Sequence, residues 1–241
     1  MKDIDIIIRK LDSCNGLDDM RELIKDIANF YEVDHLAYHV VTNEHSARHF
    51  ALVTYPDEWV KHYVDKNLVK IDPVVQHAVT SVLPFSWSQL EKDTPELKKM
   101  FSDARDIGLG NNGITFQVRD QYSKFAILSL NSEASAESFQ KFTKEYKQDF
   151  MMLSYLIHNR VQTLTSLGVR KVNLSPSEIE VIKWAAAGKT TEETASILGK
   201  SHRMVRAFLD SARYKLGADT KAHAVSRALE LRIIDQLTIF R

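Results

Sequence analysis

Tyr55, Trp59, Tyr63 and Asp72 lie in the stretch TYPDEWVKHYVDKNLVKIDPVV, residues 54–75. On a helix starting near Asp57, Trp59 and Tyr63 are four residues apart and share a face, with Tyr55 just ahead and Asp72 opening the next helix before Pro73. Each aromatic joins an apolar body to a polar tip, and a carboxylate close by adds an acceptor. That composition suits a mostly apolar pocket in which a few polar groups orient an amphiphile. The same residues admit a plainer reading, with Trp59 and Tyr63 as ordinary core and Asp72 as a helix N-cap. Spacing alone leaves both open.

A second concentration of chemistry is TTEETASILGKSHRMVRAFLDSARYKLG, residues 190–217. Thr190 and Glu193 have capping-box spacing, Gly199 stops a short helix and Ser201 caps the next. That next helix, over about 202–216, buries Val205, Phe208, Leu209, Ala212 and Leu216 on one stripe. Its other side shows Arg203, Arg206, Asp210 and Arg213. A short helix, a tight glycine turn and a helix with a basic outer face predict a helix-turn-helix whose second helix enters the major groove. Arginines there fork onto guanine edges or pair with phosphates. Lys189, Thr190, Ser201, Arg203, Arg206, Asp210 and Arg213 are the expected DNA contacts. Ahead of them, Ser175-Pro176-Ser177-Glu178 opens another helix, closed by Gly188.

The elements that position these groups divide along the chain. Of 241 residues, 32 are Lys or Arg and 32 are Asp or Glu, a net charge of zero. Residues 170–241 hold 13 basic against 8 acidic residues, +5, while residues 1–169 hold 19 against 24, −5. A basic excess on the smaller part points it at a polyanion. One cysteine, Cys14, excludes an internal disulfide framework and favours a reducing, cytoplasmic setting. No stretch approaches the roughly 20 apolar residues of a membrane span, so neither export nor insertion is expected.

In the larger part, helical periodicity covers Leu17 to Tyr31, with Met20, Leu23, Ile24, Ile27 and Phe30 on one side. Strand-like stretches follow at His35 to Thr42, Phe50 to Thr54, Ile114 to Arg119 and Lys124 to Asn131. A long helix, about Ala136 to Leu164, carries Phe139, Phe142, Tyr146, Phe150, Leu153, Ile157, Val161 and Leu164 at spacings of three and four. A sheet between helices is the expected architecture. His35, His39, His45 and His49 invite a metal site, but on a strand positions 35 and 39 lie about 13 Å apart, too far to share an ion. His45 and His49 fall in a polar loop. No metal, no catalytic triad and no nucleotide loop is expected.

The C-terminal stretch, residues 174–225, resembles the DNA-binding domain of LuxR-type regulators. Leu174, Glu178, Trp184, Ala186, Gly188, Lys189, Thr190, Glu193, Ala195, Val205, Lys215 and Leu216 fit its pattern. Ser177, Thr194, Lys200, Met204 and Phe208 depart from it, and Arg206 after Val205 resembles the rhizobial TraR-like branch. Tyr55, Pro56, Trp59, Tyr63, Asp72, Pro73 and Trp87, with Gly108, Leu109, Gly113 and Thr115, are similar to the autoinducer-binding domain of the same family.

The resemblance implies an α+β chain: an N-terminal α/β/α sandwich with an antiparallel sheet, residues 1–165, a linker at 166–172, and a C-terminal all-α four-helix helix-turn-helix domain, residues 173–241. It implies a quorum-sensing transcription factor, not an enzyme, that needs no cofactor and takes an N-acyl-homoserine lactone as ligand. Trp59 would donate to the lactone carbonyl, Asp72 would accept the amide N–H, and Tyr55 and Ser129 would bond the acyl carbonyl, with Tyr63 and Trp87 as walls. Strand parity puts Phe125, Ile127 and Ser129 on one face and Leu36, Tyr38 and Val40 on one face. With Leu36, Val40 and Ile127 lining the acyl tunnel, the bulk of Tyr38 should shorten it and favour short or medium chains. Double-stranded DNA and a second copy of the chain are the expected partners, with RNA polymerase a further one, in a bacterial cytoplasm and on the nucleoid when DNA is bound. The dimer surfaces expected are the long helix and a last helix, Lys221 to Ile234. A regulator that answers another small molecule, or none, is the alternative.

Overall fold

The computed structural model describes residues 2–41, 50–120, 125–165 and 172–235. The described residues form two compact units, one running to Thr165 and one beginning at Val172. His45 and His49 lie outside them, as does nearly all of the expected linker.

The first unit is built around five strands: β1 (His35–Val41), β2 (Phe50–Val53), β3 (Phe85–Ser86), β4 (Asn112–Arg119) and β5 (Phe125–Ser132). They form one sheet in the order β2-β1-β5-β4-β3, and every neighbouring pair is antiparallel. The two-residue edge strand β3 was not foreseen, having too few residues to show an alternation. Its helices are α1 (Asp5–Ser13), α2 (Leu17–Tyr31), α3 (Asp57–Asp65), α4 (Pro73–Thr80), α5 (Pro95–Asp106) and α6 (Ala136–Leu164).

Successive strand side chains point to opposite faces, so the two faces of β1 and β5 do different things. Leu36, Tyr38 and Val40 join Leu128, Leu130, Phe116 and Leu52 in a core shared with Ile7 and Leu11 of α1, Met20, Ile24 and Ile27 of α2, and Phe150, Leu153 and Ile157 of α6. Ala37 and His39 face the other way, in register with Ser129 and Ile127 of β5 and with Val53 and Ala51 of β2.

The expectation that Leu36, Tyr38 and Val40 line the ligand tunnel is therefore corrected: they pack under α2 and α6. Tyr38 is fully buried there, its hydroxyl 2.7 Å from Nδ1 of His158 on α6. His158 Nε2 lies 2.8 Å from the Gln162 amide, which also donates to Asp120. Burial, reinforced by the charge of Asp120, pushes the Tyr38 phenol up and keeps it protonated. The tunnel-shortening role given to its bulk has no basis in this geometry.

The second unit holds α7 (Pro176–Ala186), α8 (Thr191–Leu198), α9 (His202–Leu216) and α10 (Lys221–Glu230). Ile182, Ala212, Leu216, Ala224, Ala228 and Ile234 form one apolar cluster, and Val181, Ala195 and Val205 another, against which Leu198 and Phe208 pack. Alanines at 224 and 228 let α10 approach closely. The last helix stops at Glu230 rather than Ile234, because Arg232 takes a left-handed φ of 49° and the Ile233 N–H turns back to the Ala228 carbonyl. Ile234 still reaches the core from beyond the helix end.

A buried carboxylate ties this unit together. Glu178 accepts from the Ser175 N–H at 2.6 Å, from Ser211 Oγ at 2.6 Å and from Lys215 Nζ at 2.8 Å, linking the start of α7 to α9. Burial pushes its pKa up, but the bonds from Lys215, Ser211 and Ser175 outweigh that and hold it at about 2, against an ordinary 4.5. A depressed carboxylate stabilises the fold fully above its unfolded pKa and loses that contribution as pH falls through the folded one. The second unit should therefore weaken between pH 4.5 and 2, and Glu178→Gln should flatten that slope and cost about 2 kcal/mol at neutral pH, allowing for screening near Lys215. Amide hydrogen exchange of α7 against pH measures both.

Candidate functional site

On the sheet face opposite the α2–α6 core lies a cavity of about 270 Å³, roofed by α3, α4 and α5. Tyr55, Trp59, Tyr63, Asp72, Trp87, Ile127 and Ser129 all line it. These are seven of the ten residues expected to bind ligand, and the other three are those facing α6. Sequence reading missed Ala37, His39, Ala51, Val53 and Asn131 on the sheet floor and the valines of α3 and α4. The register Ala37↔Ser129 is the signal that would have found the floor, and it requires knowing which strands pair.

Asp72 carries both roles that spacing left open. Its Oδ1 accepts from the Val74 N–H at 2.8 Å and caps α4, with Pro73 at the first helical position, while its Oδ2 accepts from the Tyr63 hydroxyl at 2.7 Å. Burial raises its pKa above the ordinary 3.8 despite those bonds. Burial, with the charge of Asp72, also raises the phenols of Tyr63 and Tyr55, so both stay donors. A carboxylate has about four acceptor sites, so two bonds leave room for another donor.

Around Asp72 the other polar groups are placed with their partners. Trp59 on α3 stacks on His62 with ring centroids 5.6 Å apart and is tilted against Tyr63 at 6.1 Å. Its indole N–H has no hydrogen-bond partner among the described residues. The Tyr55 hydroxyl donates to Asn131 Oδ1 at 3.0 Å. Trp87 donates its indole N–H to Thr115 Oγ1 at 2.9 Å, and Thr115 Oγ1 lies 2.9 Å from Ser129 Oγ. With Trp87 donating into Thr115 and Thr115 into Ser129, the Ser129 proton is left for a carbonyl in the cavity.

Gly113 on β4 makes the Trp87 position available, since a Cβ there would sit 2.2 Å from the indole ring. Among the described residues no group of three His, Cys, Asp or Glu side chains converges as a metal site; His35 bonds the Gly108 carbonyl at 3.3 Å, whereas His39 faces the cavity.

In the second unit, Thr190 and Ser201 are N-caps, accepting from the Glu193 and Met204 N–H groups. Gly199 ends α8 at a φ of 61°, where a side chain would be strained. Arg203 and Arg206 are exposed on α9, one helical turn apart, with no ion pair among the described residues. Lys189 lies 3.3 Å from Glu193. Arg213 is drawn inward instead: it pairs with Asp210 at 3.1 Å and donates to the Asp219 carbonyl, tying α9 to the turn before α10. The exposed Tyr214 on α9 was not foreseen.

An α/β/α unit enclosing a polar-studded cavity, followed by a helix-turn-helix unit with exposed arginines at the start of its second helix, defines the architecture of a ligand-binding, DNA-binding regulator. Residues 16–161 match the autoinducer binding domain, and residues 172–228 match the bacterial regulatory proteins of the luxR family. The chain is 30% identical over 223 residues to the transcriptional activator protein YukR of Yersinia ruckeri, covering 87% of this chain and 97% of that one. It is 29% identical over 222 residues to the transcriptional activator protein AnoR of Acinetobacter nosocomialis, covering 90% and 92%. A crystal structure of Escherichia coli SdiA has the same fold, with a TM-score of 0.73 at 22% identity over 97% of this chain and 98% of that one. A structure of SdiA in complex with octanoyl-rac-glycerol follows at 0.70 and 22%, over 94% and 93%. The chain belongs to the LuxR-type transcriptional regulators, with a quorum-sensing type of autoinducer-binding domain and a DNA-binding domain.

Gly113→Ala should push Trp87 off Thr115 and cost about 1–3 kcal/mol, the usual range for forcing extra volume into a packed site. Urea unfolding of the full chain measures it, and an unchanged midpoint would show that Trp87 can move aside freely.

Proposed function

We propose that the cavity binds an N-acyl-homoserine lactone and that the ligand adjusts sequence-specific DNA binding by α9 in a dimer. One observation carries the ligand reading: a single cavity brings together the unpartnered Trp59 N–H, the acceptor Asp72 and the donors Tyr55 and Ser129. A lactone carbonyl, an amide N–H and an acyl carbonyl complement that set in type. Trp59 donates to the lactone carbonyl, Asp72 accepts the amide N–H, and Tyr55 and Ser129 donate to the acyl carbonyl, with Tyr63 holding the Asp72 oxygen in place. The volume, near the lower end of ligand pockets at roughly 300 Å³, suits a small amphiphile.

Ligand that binds only the folded sensor shifts the population toward it, by about 2.7 kcal/mol at 100 times the dissociation constant. Dimerisation follows from half-sites one DNA turn apart, and the exposed Met151, Met152 and Tyr155 on α6 support that helix as a dimer surface.

Mass spectrometry of ligand extracted from purified protein tests the ligand class directly. A second reading takes the structure of SdiA in complex with octanoyl-rac-glycerol as its guide: an acyl glycerol offers hydroxyl donors in place of the amide N–H, so Asp72 could accept from either ligand. Asp72→Asn, which keeps an N-capping side chain, should weaken a lactone about tenfold to a hundredfold by calorimetry, while the mass of the extracted ligand separates it from an acyl glycerol. Lactone affinity should be level at neutral pH and fall in acid as Asp72 protonates, with a midpoint above 3.8 because its folded pKa is raised.

On the DNA side, Arg206→Ala should cost about 1–3 kcal/mol on one operator and little on random duplex, whereas Lys189→Ala should weaken both and lower the salt slope by about one. Equal losses on both duplexes for Arg206→Ala would reduce it to a phosphate contact.

A further inference from the structure

Trp59 is buried in the cavity roof, and both residues one turn on, at i+3 and i+4, lay a ring against it. His62 is stacked at 25° with ring centroids 5.6 Å apart, and Tyr63 is tilted at 56° and 6.1 Å. Each of those rings is drawn to a carboxylate on another helix. Tyr63 donates to Asp72, the N-cap of α4, while His62 Nε2 lies 3.4 Å from Oδ2 of Asp103 on α5. The second oxygen of Asp103 lies 3.4 Å from Lys99 Nζ. An imidazole with a proton on Nε2, neutral or charged, is attracted to such a carboxylate. Met100 and Ala104, which flank Asp103 in sequence, pack with Trp59 in one apolar cluster and line the cavity. His62 and Asp103 lie outside that lining.

An indole N–H lies in the plane of its ring, so its bond to a fixed carbonyl tracks the tilt of that plane and weakens steeply as the angle at hydrogen falls toward about 120°. Stacking Trp59 on a ring that is itself drawn to α5 sets that tilt from outside the cavity. We propose that His62, anchored by Asp103, is a positioning residue that aims the Trp59 N–H at the lactone carbonyl, and so sets how strongly the cavity prefers a head group carrying that carbonyl. This rests on the lactone reading above and adds to it two residues that do not touch the ligand.

Calorimetry on the full chain with octanoyl-homoserine lactone and with N-cyclopentyloctanamide tests it, since the second keeps the amide and the acyl chain but has a plain carbon ring in place of the lactone. Wild-type protein should bind the lactone about tenfold tighter. His62→Ala should abolish that preference by weakening the lactone alone, and His62→Phe, which keeps a flat ring on Trp59, should retain most of it. Asp103→Asn, which leaves the stack in place but removes the charge that anchors it, should reduce the preference by a smaller factor. An equal loss for both ligands in His62→Ala, an unchanged ratio in both His62→Ala and Asp103→Asn, or a His62→Phe variant no better than His62→Ala overturns the proposal. Wild-type protein that binds the two ligands equally, or binds neither, overturns instead the lactone reading on which it rests.

Discussion

The antiparallel register of β1 on β5 is the constraint on which the ligand-binding unit turns. Because side chains alternate, pairing Ala37 with Ser129 and His39 with Ile127 sends Leu36, Tyr38 and Val40 to the α2–α6 core and leaves small or polar residues to floor the cavity. A slip of one residue would put Tyr38 into the cavity and His39 into the core, exchanging every role at once. Both faces of these central strands are buried: the packing of Ile24, Ile27, Phe150 and Leu153 holds Leu36, Tyr38 and Val40 on one, while the Thr115–Ser129 bond on the other ties β5 to its second neighbour, β4. Tyr38 bonding to His158 adds a polar lock on the core side, at the point where a bare hydroxyl would otherwise be costly.

On the cavity side the polar groups are mostly paired with each other. Tyr63 serves Asp72, Tyr55 serves Asn131, and Trp87 serves Thr115, so the pocket is polarised in advance rather than assembled around a ligand. Under the proposed reading, a ligand gains most where a group has a bond still to make: the Trp59 N–H, the remaining lone pairs of Asp72 and one proton of the Ser129–Thr115 pair. Where it must displace an internal bond, as at Tyr55, the exchange is close to neutral. That reading concentrates selectivity on the Trp59–Asp72 side and draws affinity largely from the apolar walls.

Much of this was legible in the sequence, for reasons that differ by element. The long stripe of α6, the caps of α7, α8 and α9, and the four-residue spacing of Trp59 and Tyr63 are local patterns, and local patterns survive folding. The resemblance of residues 174–225 and of the Tyr55-to-Trp87 motif carried the family. What escaped was set by pairing: which face of β1 meets the ligand depends on the β5 register, and grouping Leu36, Tyr38 and Val40 correctly onto one face did not say which face. The end of α10 was missed because Arg232 takes a left-handed turn that its residue type does not announce. The inward pull on Arg213 depends on Asp219, beyond the end of its own helix, and helical periodicity alone could not show it.

The same distinction decides how the DNA-binding unit works. Its reading face is defined less by the number of cations than by which are already engaged. Arg213 spends its guanidinium on Asp210 and the Asp219 carbonyl, and Lys215 spends its ammonium on Glu178, so two of the four cations on α9 hold the helix in place. Arg203 and Arg206 have no such tie among the described residues. They project from a helix fixed at one end by Gly199 and Ser201 and clamped to α7 through Glu178. A helix anchored by its C-terminal cations and exposed at its N-terminal ones leaves available the end that recognition helices use to reach base edges, which is the end the proposed DNA reading calls on.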